Sequence, residues 1–167
     1  MKNSRRLGDF SGTGYSKGRN KFWQGLWHLC SYAIFQKYWL PLSVRPKILR
    51  FFGAQIGTNV KIREGVAIHW PWKLRVGDNS WIGRGAYILN LEHVTIEDNV
   101  CISQFAFICT GSHDVSSISF EYANAPITIQ SSVWVCASAF ILPGSLIPEG
   151  SVVPANSTFP SRKRRDF

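Results

Sequence analysis

Counting every sixth residue from Ile56 gives Ile62, Ile68 and Leu74. The phase slips by two and continues through Val76, Ile82 and Ile88, then slips again and resumes at Ile96, Ile102 and Ile108. After a gap it returns at Ile129, Val135, Ile141, Ile147 and Val153, with Phe159 in the next slot. Small or β-branched residues stand four positions later, among them Ser80, Ala86, Val100, Ala106, Ser112, Val133, Ala139 and Ser145. Neither a helical period of 3.6 nor strict alternation produces this pattern. A hexapeptide repeat does. Each six residues make one short flat strand and one turn, with the aliphatic residue inward, and three such units close a triangular coil. The prediction is an all-β chain wound as a parallel β-helix. About fourteen repeats make roughly five coils, above the minimum of three that repeat architectures need. Gly57, Gly77 and Gly83 and the Asp-Asn pairs at 78–79 and 98–99 read as turn residues that tolerate unusual backbone angles.

The breaks matter as much as the period. Ile129 stands 21 positions after Ile108, three more than a whole coil of 18. The stretch DVSSISFEYANA, residues 114–125, breaks the pattern and reads as a loop thrown out from the coils. Loops on rigid scaffolds are where sites form, and His113 stands at the base of this one.

The domain reading follows. Residues 1–21 are a polar, basic, Gly/Ser-rich mobile arm, 22–52 an N-terminal helical segment, 53–160 the β-helix with its excursion, and 161–167 a basic tail. Charge is uneven: residues 1–55 carry ten Lys/Arg and one acid, whereas residues 56–160 carry five Lys/Arg and eight acids. A nucleic-acid reader would put its basic charge on the folded body, so nucleic acid is not the expected partner. Basic ends suit an anionic membrane surface or a phosphorylated ligand. The apolar stretch FWQGLWHLCSYAIFQ, residues 22–36, is too short and too polar to span a bilayer. It reads as a packing helix of the core or of a trimer, or as an interfacial helix. No secretory signal is evident, and Cys30, Cys101, Cys109 and Cys136 show no CxxC spacing. Free thiols in a reducing, cytoplasmic compartment are expected.

The segments FFGAQIGTNVKI (51–62), VGDNSWIGRGAYI (76–88), VTIEDNVCIS (94–103), CTGSHD (109–114) and APITIQSSVWVCASAFILPG (125–144) resemble the left-handed parallel β-helix acyltransferases of the hexapeptide-repeat class. Within it they look most like the branch of colanic-acid biosynthesis acetyltransferases, whose kin include galactoside, maltose and nodulation-factor O-acetyltransferases. The resemblance spans about residues 22–153. It implies direct transfer of acetyl from acetyl-CoA to a sugar hydroxyl, with no covalent enzyme intermediate and no metal. The family histidine matches His113, which would be the general base, since neutral imidazole can take a hydroxyl proton near neutral pH. Its second ring nitrogen needs an acceptor, either Asp114, also a substrate-contact candidate, or a backbone carbonyl.

The resemblance also implies that Asn90 contacts the acceptor sugar, although a turn-forming asparagine is the other reading of that position. Trp134, Ala137, Ser138 and Gly144 match positions along which the pantetheine arm of acetyl-CoA lies. Arg162, Lys163, Arg164 and Arg165 could attract its phosphates. The implied assembly is a homotrimer with the site between subunits. The implied acceptor is a surface-polysaccharide precursor, sugar or lipid-linked glycan, met at the inner face of the membrane.

Two features depart from the family pattern: VWVC stands at 133–136 in place of VWIG, and Pro154 replaces a small residue. They keep open a second class, a weak or inactive β-helix module that binds a glycan or docks at a membrane. A trimeric zinc enzyme of the carbonic anhydrase type would need three imidazoles on one metal. His28, His69 and His93 do not supply the close pair that family requires.

Overall fold

The computed structural model describes residues 5–160. Fifteen strands form three five-stranded parallel sheets around a triangular core. Sheet A holds β1 (Gln55–Ile56), β4 (Leu74–Val76), β7 (Val94–Ile96), β10 (Ile127–Ile129) and β13 (Leu146–Ile147). Sheet B holds β2 (Lys61–Ile62), β5 (Trp81–Ile82), β8 (Cys101–Ile102), β11 (Trp134–Val135) and β14 (Val152–Val153). Sheet C holds β3 (Ala67–Ile68), β6 (Tyr87–Leu89), β9 (Phe107–Cys109), β12 (Phe140–Ile141) and β15 (Thr158–Phe159). This is the expected β-helix of five coils. Register puts each aliphatic residue on its equivalent one coil away: Ile62 on Ile82, Ile82 on Ile102, Ile102 on Val135. All of these are sealed from solvent. Outward residues stack too, with the rings of Tyr87, Phe107 and Phe140 at 5.0 and 4.8 Å centroid spacing, a cross-strand ladder of the kind that stabilises sheets.

The corners show why particular residues recur. Left-handed backbone falls on Asn59, Asn79 and Asn99 (φ 50, 56 and 58°), a conformation that asparagine tolerates better than most residues. Gly57, Gly77 and Gly83 are not among the positive-φ residues, so the backbone-angle reading does not hold for them. They are glycines because the next coil passes too close for a side chain. A methyl group on Gly83 would lie 2.7 Å from the backbone nitrogen of Gln104, and one on Gly57 would lie 2.3 Å from Asp78 Oδ1. The aspartates use that proximity: Asp78 Oδ1 accepts from the Thr58 N–H at 2.6 Å and Asp98 Oδ1 from the Asp78 N–H at 2.7 Å.

The phase slips are two-residue additions at the corner between sheets C and A. Ile56 pairs with Val76 and Val76 with Ile96, twenty residues apart each time. The large gap is different from the sequence reading. Ile108 and Ile129 lie on successive sides of one coil, in sheets C and A, so the gap hides no coil. Nearly all of residues 110–126 is excursion from that same corner, and Ser112 belongs to it rather than to the stack.

The N-terminal segment is helical as expected. Asn20 caps α1 (Lys21–Cys30) by accepting from the Trp23 N–H. A π-helical turn follows at Ser31–Phe35, then α2 (Val44–Phe51). Buried Arg45 satisfies the carbonyls of Phe35 and Lys37 at the end of that turn. The helices pack against the first coil. Buried Trp27 donates its indole N–H to the carbonyls of Ile68 and His69, and Arg50 reaches the carbonyls of Ile56 and Gly57.

Residues 5–20, read from composition as part of a mobile arm, make specific contacts along the C–A corner. The Lys73 ammonium donates to the Ser16 carbonyl (2.6 Å) and to the Leu91 carbonyl. Trp72 donates to the Lys17 carbonyl, Trp70 donates its indole N–H to the Tyr15 hydroxyl, and Tyr15 packs edge-on against Tyr122.

Candidate active site

The excursion is a hairpin. The Asp114 N–H donates to the Glu121 carbonyl, the Ala123 N–H to Ser112 and the Ala125 N–H to Thr110. His113 and Tyr122 face each other as an antiparallel pair. His113 is half-buried, neither sealed in the core nor free. Its ring stacks on Phe120 (4.3 Å, 4°) and on Tyr122 (5.1 Å, 26°), and Phe10 meets it edge-on at 5.8 Å.

One hydrogen bond fixes its chemistry. His113 Nδ1 lies 2.7 Å from the Phe120 carbonyl oxygen. A carbonyl only accepts, so Nδ1 carries a hydrogen, and in the neutral ring Nε2 keeps the lone pair. The orienting acceptor is therefore the backbone and not Asp114. The Asp114 carboxylate turns back to accept from the N–H and O–H of Ser116, which holds its pKa below the usual carboxylate range.

Asn90 does not present its amide to an acceptor. It is fully buried; its Oδ1 accepts from the Trp70 N–H at 2.9 Å and its Nδ2 donates to the Trp70 carbonyl at 2.6 Å. It thus satisfies both backbone groups of Trp70 where the two extra residues interrupt the sheet pairing.

The cofactor candidates divide between two edges. Gly144 lies on the C–A corner, the edge that carries the His113 hairpin, one coil further on. Trp134 faces outward from sheet B, half-exposed, donating its indole N–H to the Ser103 hydroxyl at 2.9 Å. Ala137 and Ser138 turn the corner from sheet B to sheet C. One chain does not bring these three to His113. Residues 162–165 lie outside the described residues. Of the other histidines, His69 is half-buried beside His28 and its pKa is lowered to about 4, chiefly by desolvation and next by the His28 charge. Among the described residues no three His, Cys, Asp or Glu side chains converge as a metal-ligand set.

What sequence reasoning missed lies in the arm and the hairpin. Phe10, Phe120, Tyr122 and Glu121 surround or support His113. For Phe120, Glu121 and Tyr122 the sequence signal is an aromatic-rich, acid-bearing break in the repeat; Phe10, in the arm, has none.

No protein-family model matches the chain. It is 39% identical over 128 residues to the protein named "Putative colanic acid biosynthesis acetyltransferase WcaF" of Escherichia coli, a match covering 75% of this chain and 69% of that one. The Shigella flexneri protein of the same name matches to the same extent. Among solved structures, a hexapeptide-repeat acetyltransferase from Vibrio cholerae complexed with acetyl-coenzyme A superposes with a TM-score of 0.79 at 22% identity, covering 91% of this chain and 85% of that one. A galactoside acetyltransferase in complex with coenzyme A gives a TM-score of 0.73 at 22% identity, over 84% and 74%. At those identities the two structures speak to the fold; the 39% match across most of both chains speaks to descent. The repeat, the coils and that match together place this chain in the hexapeptide-repeat acetyltransferase family.

Proposed function

We propose that the chain transfers acetyl from acetyl-CoA to a hydroxyl of a sugar in a surface-polysaccharide precursor, with His113 as general base. The observation that carries this is the Nδ1 bond to the Phe120 carbonyl, which leaves Nε2 as a basic lone pair on a half-buried ring at one edge of a rigid scaffold. Nε2 accepts the hydroxyl proton as the sugar oxygen forms its bond to the acetyl carbon, then passes that proton to the departing sulfur. Acetyl-CoA supplies the thioester carbonyl and a good leaving group. Half-exposed Ala137 and Gly144 and exposed Ser138 leave room for a thin chain along the coils, and Trp134 offers a flat outward face. A general base of this kind contributes about 10²–10⁴-fold.

The test is release of the CoA thiol from acetyl-CoA with galactosides, maltose and nucleotide sugars as acceptors, for the natural chain and for His113→Ala. Turnover that survives in His113→Ala overturns the assignment. No acetyl transfer and no thermal shift with CoA would favour the non-catalytic module.

A homotrimer fits the split between edges. His113 on the C–A corner of one subunit can face Trp134, Ala137 and Ser138 of a neighbour, which a single chain does not achieve. Light scattering should give three times the mass of the chain, and a monomer would remove this reading.

A cytoplasmic protein resting on the inner membrane surface fits the helices. No helix among the described residues is long and apolar enough to cross a membrane. Leu26, Leu29, Ile34, Ile48 and Phe51 instead line an open apolar groove of about 790 Å³ between α1 and α2, with Lys47 at its rim. Phe22 and Leu29 are exposed beside it, and no acid occurs between Asp9 and Glu64. An anionic bilayer matches both the apolar groove and the unopposed positive charge. Vesicles containing phosphatidylglycerol should sediment the protein and pure phosphatidylcholine vesicles should not; equal indifference to both would refute the docking.

A further inference from the structure

We infer that the N-terminal arm is a working part of the His113 site, and that Glu121 is the positioning residue that fastens it there. The argument starts from Phe120. Its carbonyl fixes the His113 tautomer and its ring stacks on the imidazole. Yet Phe120 sits at φ 53°, a left-handed conformation that is an outlier for a bulky residue. Such strain persists only where the surroundings over-determine it. Within the hairpin the Phe120 N–H donates to the Ser117 carbonyl at 3.2 Å, and the neighbouring Glu121 carbonyl accepts from the Asp114 N–H at 2.8 Å.

The arm supplies the rest. The Glu121 carboxylate accepts from the Ser11 N–H (2.8 Å), the Ser11 hydroxyl (2.9 Å) and the Gly12 N–H (3.1 Å). The Arg6 N–H donates to the Ile118 carbonyl at 2.8 Å, and the Arg5 guanidinium lies over the Phe120 ring. With Ser11 and Gly12 held, Phe10 is delivered edge-on to both His113 and Tyr122. Gly12 is itself left-handed (φ 66°), a backbone conformation that a side chain would strain. The arm therefore grips the hairpin on both sides of the residue whose carbonyl orients the base. This rests on His113 being that base, but the contacts define the ring's state whether or not it reacts.

The experiment reads the ring directly. Long-range ¹H–¹⁵N correlation spectra of the full chain should show His113 as one neutral tautomer, with the hydrogen on Nδ1. Glu121→Ala and Phe10→Ala should each give a mixture of tautomers, with Glu121→Gln in between, because one amide oxygen replaces part of the carboxylate's grip. The double variant Phe10→Ala/Glu121→Ala should be no worse than Glu121→Ala, since coupled residues are not additive. With any acceptor that supports turnover, Glu121→Ala should lower kcat by about 10- to 100-fold and leave KM for acetyl-CoA unchanged. A Glu121→Ala spectrum identical to that of the natural chain, or a lowered melting temperature without a tautomer change, would overturn the inference. His113→Ala turnover tests the base assignment separately, so the two can fail independently.

Discussion

His113 and Phe120 are joined twice: Nδ1 lies 2.7 Å from the Phe120 carbonyl oxygen, and the two rings stack face to face at 4.3 Å. Carbonyl and ring act on different properties. The carbonyl selects which nitrogen is basic, and the ring sets where the imidazole plane lies.

Phe120→Gly separates the two. It keeps the carbonyl and relieves the left-handed backbone (φ 53°) while removing the stacked ring. An aromatic pair is worth about 0.5–1.5 kcal/mol, so kcat should fall by a factor of about 2–10 with little loss of melting temperature. Steady-state kinetics beside a thermal melt checks this, and a loss as large as that of His113→Ala would show that the carbonyl had moved as well.

Asn90→Ala should injure the fold and not the recognition of substrate. Removing its amide leaves the Trp70 N–H without a partner in a buried site, while the Trp70 carbonyl keeps the Lys73 N–H at 3.0 Å. An unsatisfied buried group costs about 1–3 kcal/mol, and a loss of that size is expected. Denaturant unfolding measures that loss. A folded Asn90→Ala protein with a raised KM for the acceptor would instead restore the sugar-contact role.

Glycine to alanine should have opposite signs at two positions. At Gly83 the added methyl would meet the backbone of Ser103 and Gln104 at 2.7 Å, and overpacking of this kind costs about 1–3 kcal/mol. At Gly25, in α1 with nothing within 4 Å, alanine should stabilise by about 0.5–1 kcal/mol by restricting the unfolded chain. Chemical denaturation of both variants decides it.

His69 should make stability depend on mild acid. Its folded pKa is about 4, against an ordinary value of 6.5, because burial and then His28, Lys17 and Lys73 oppose its charge. Between those values the unfolded chain binds a proton that the folded chain refuses, so stability falls as pH drops from about 6.5 toward about 4 and is unaffected by this group above that window. Melting temperatures of the natural chain and of His69→Gln should converge with acidification across that window. Parallel curves would show that His69 titrates normally.

Sequence by itself determined the coils. An inward aliphatic at every sixth position leaves few ways to bury the rest, so Ile62, Ile82 and Ile102 dictate one stacked column whatever lies between them. The motif CTGSHD likewise marked His113 as the residue to watch. Only the tertiary structure decided which nitrogen of that ring is free, that Asn90 serves Trp70, and that the arm reaches the site. Those outcomes depend on contacts such as Ser11 with Glu121, 110 residues apart, or on two atoms meeting across a corner. A period records only what repeats from coil to coil. A contact made once, between an arm and an excursion that both stand outside the repeat, leaves no periodic trace and is set by packing alone.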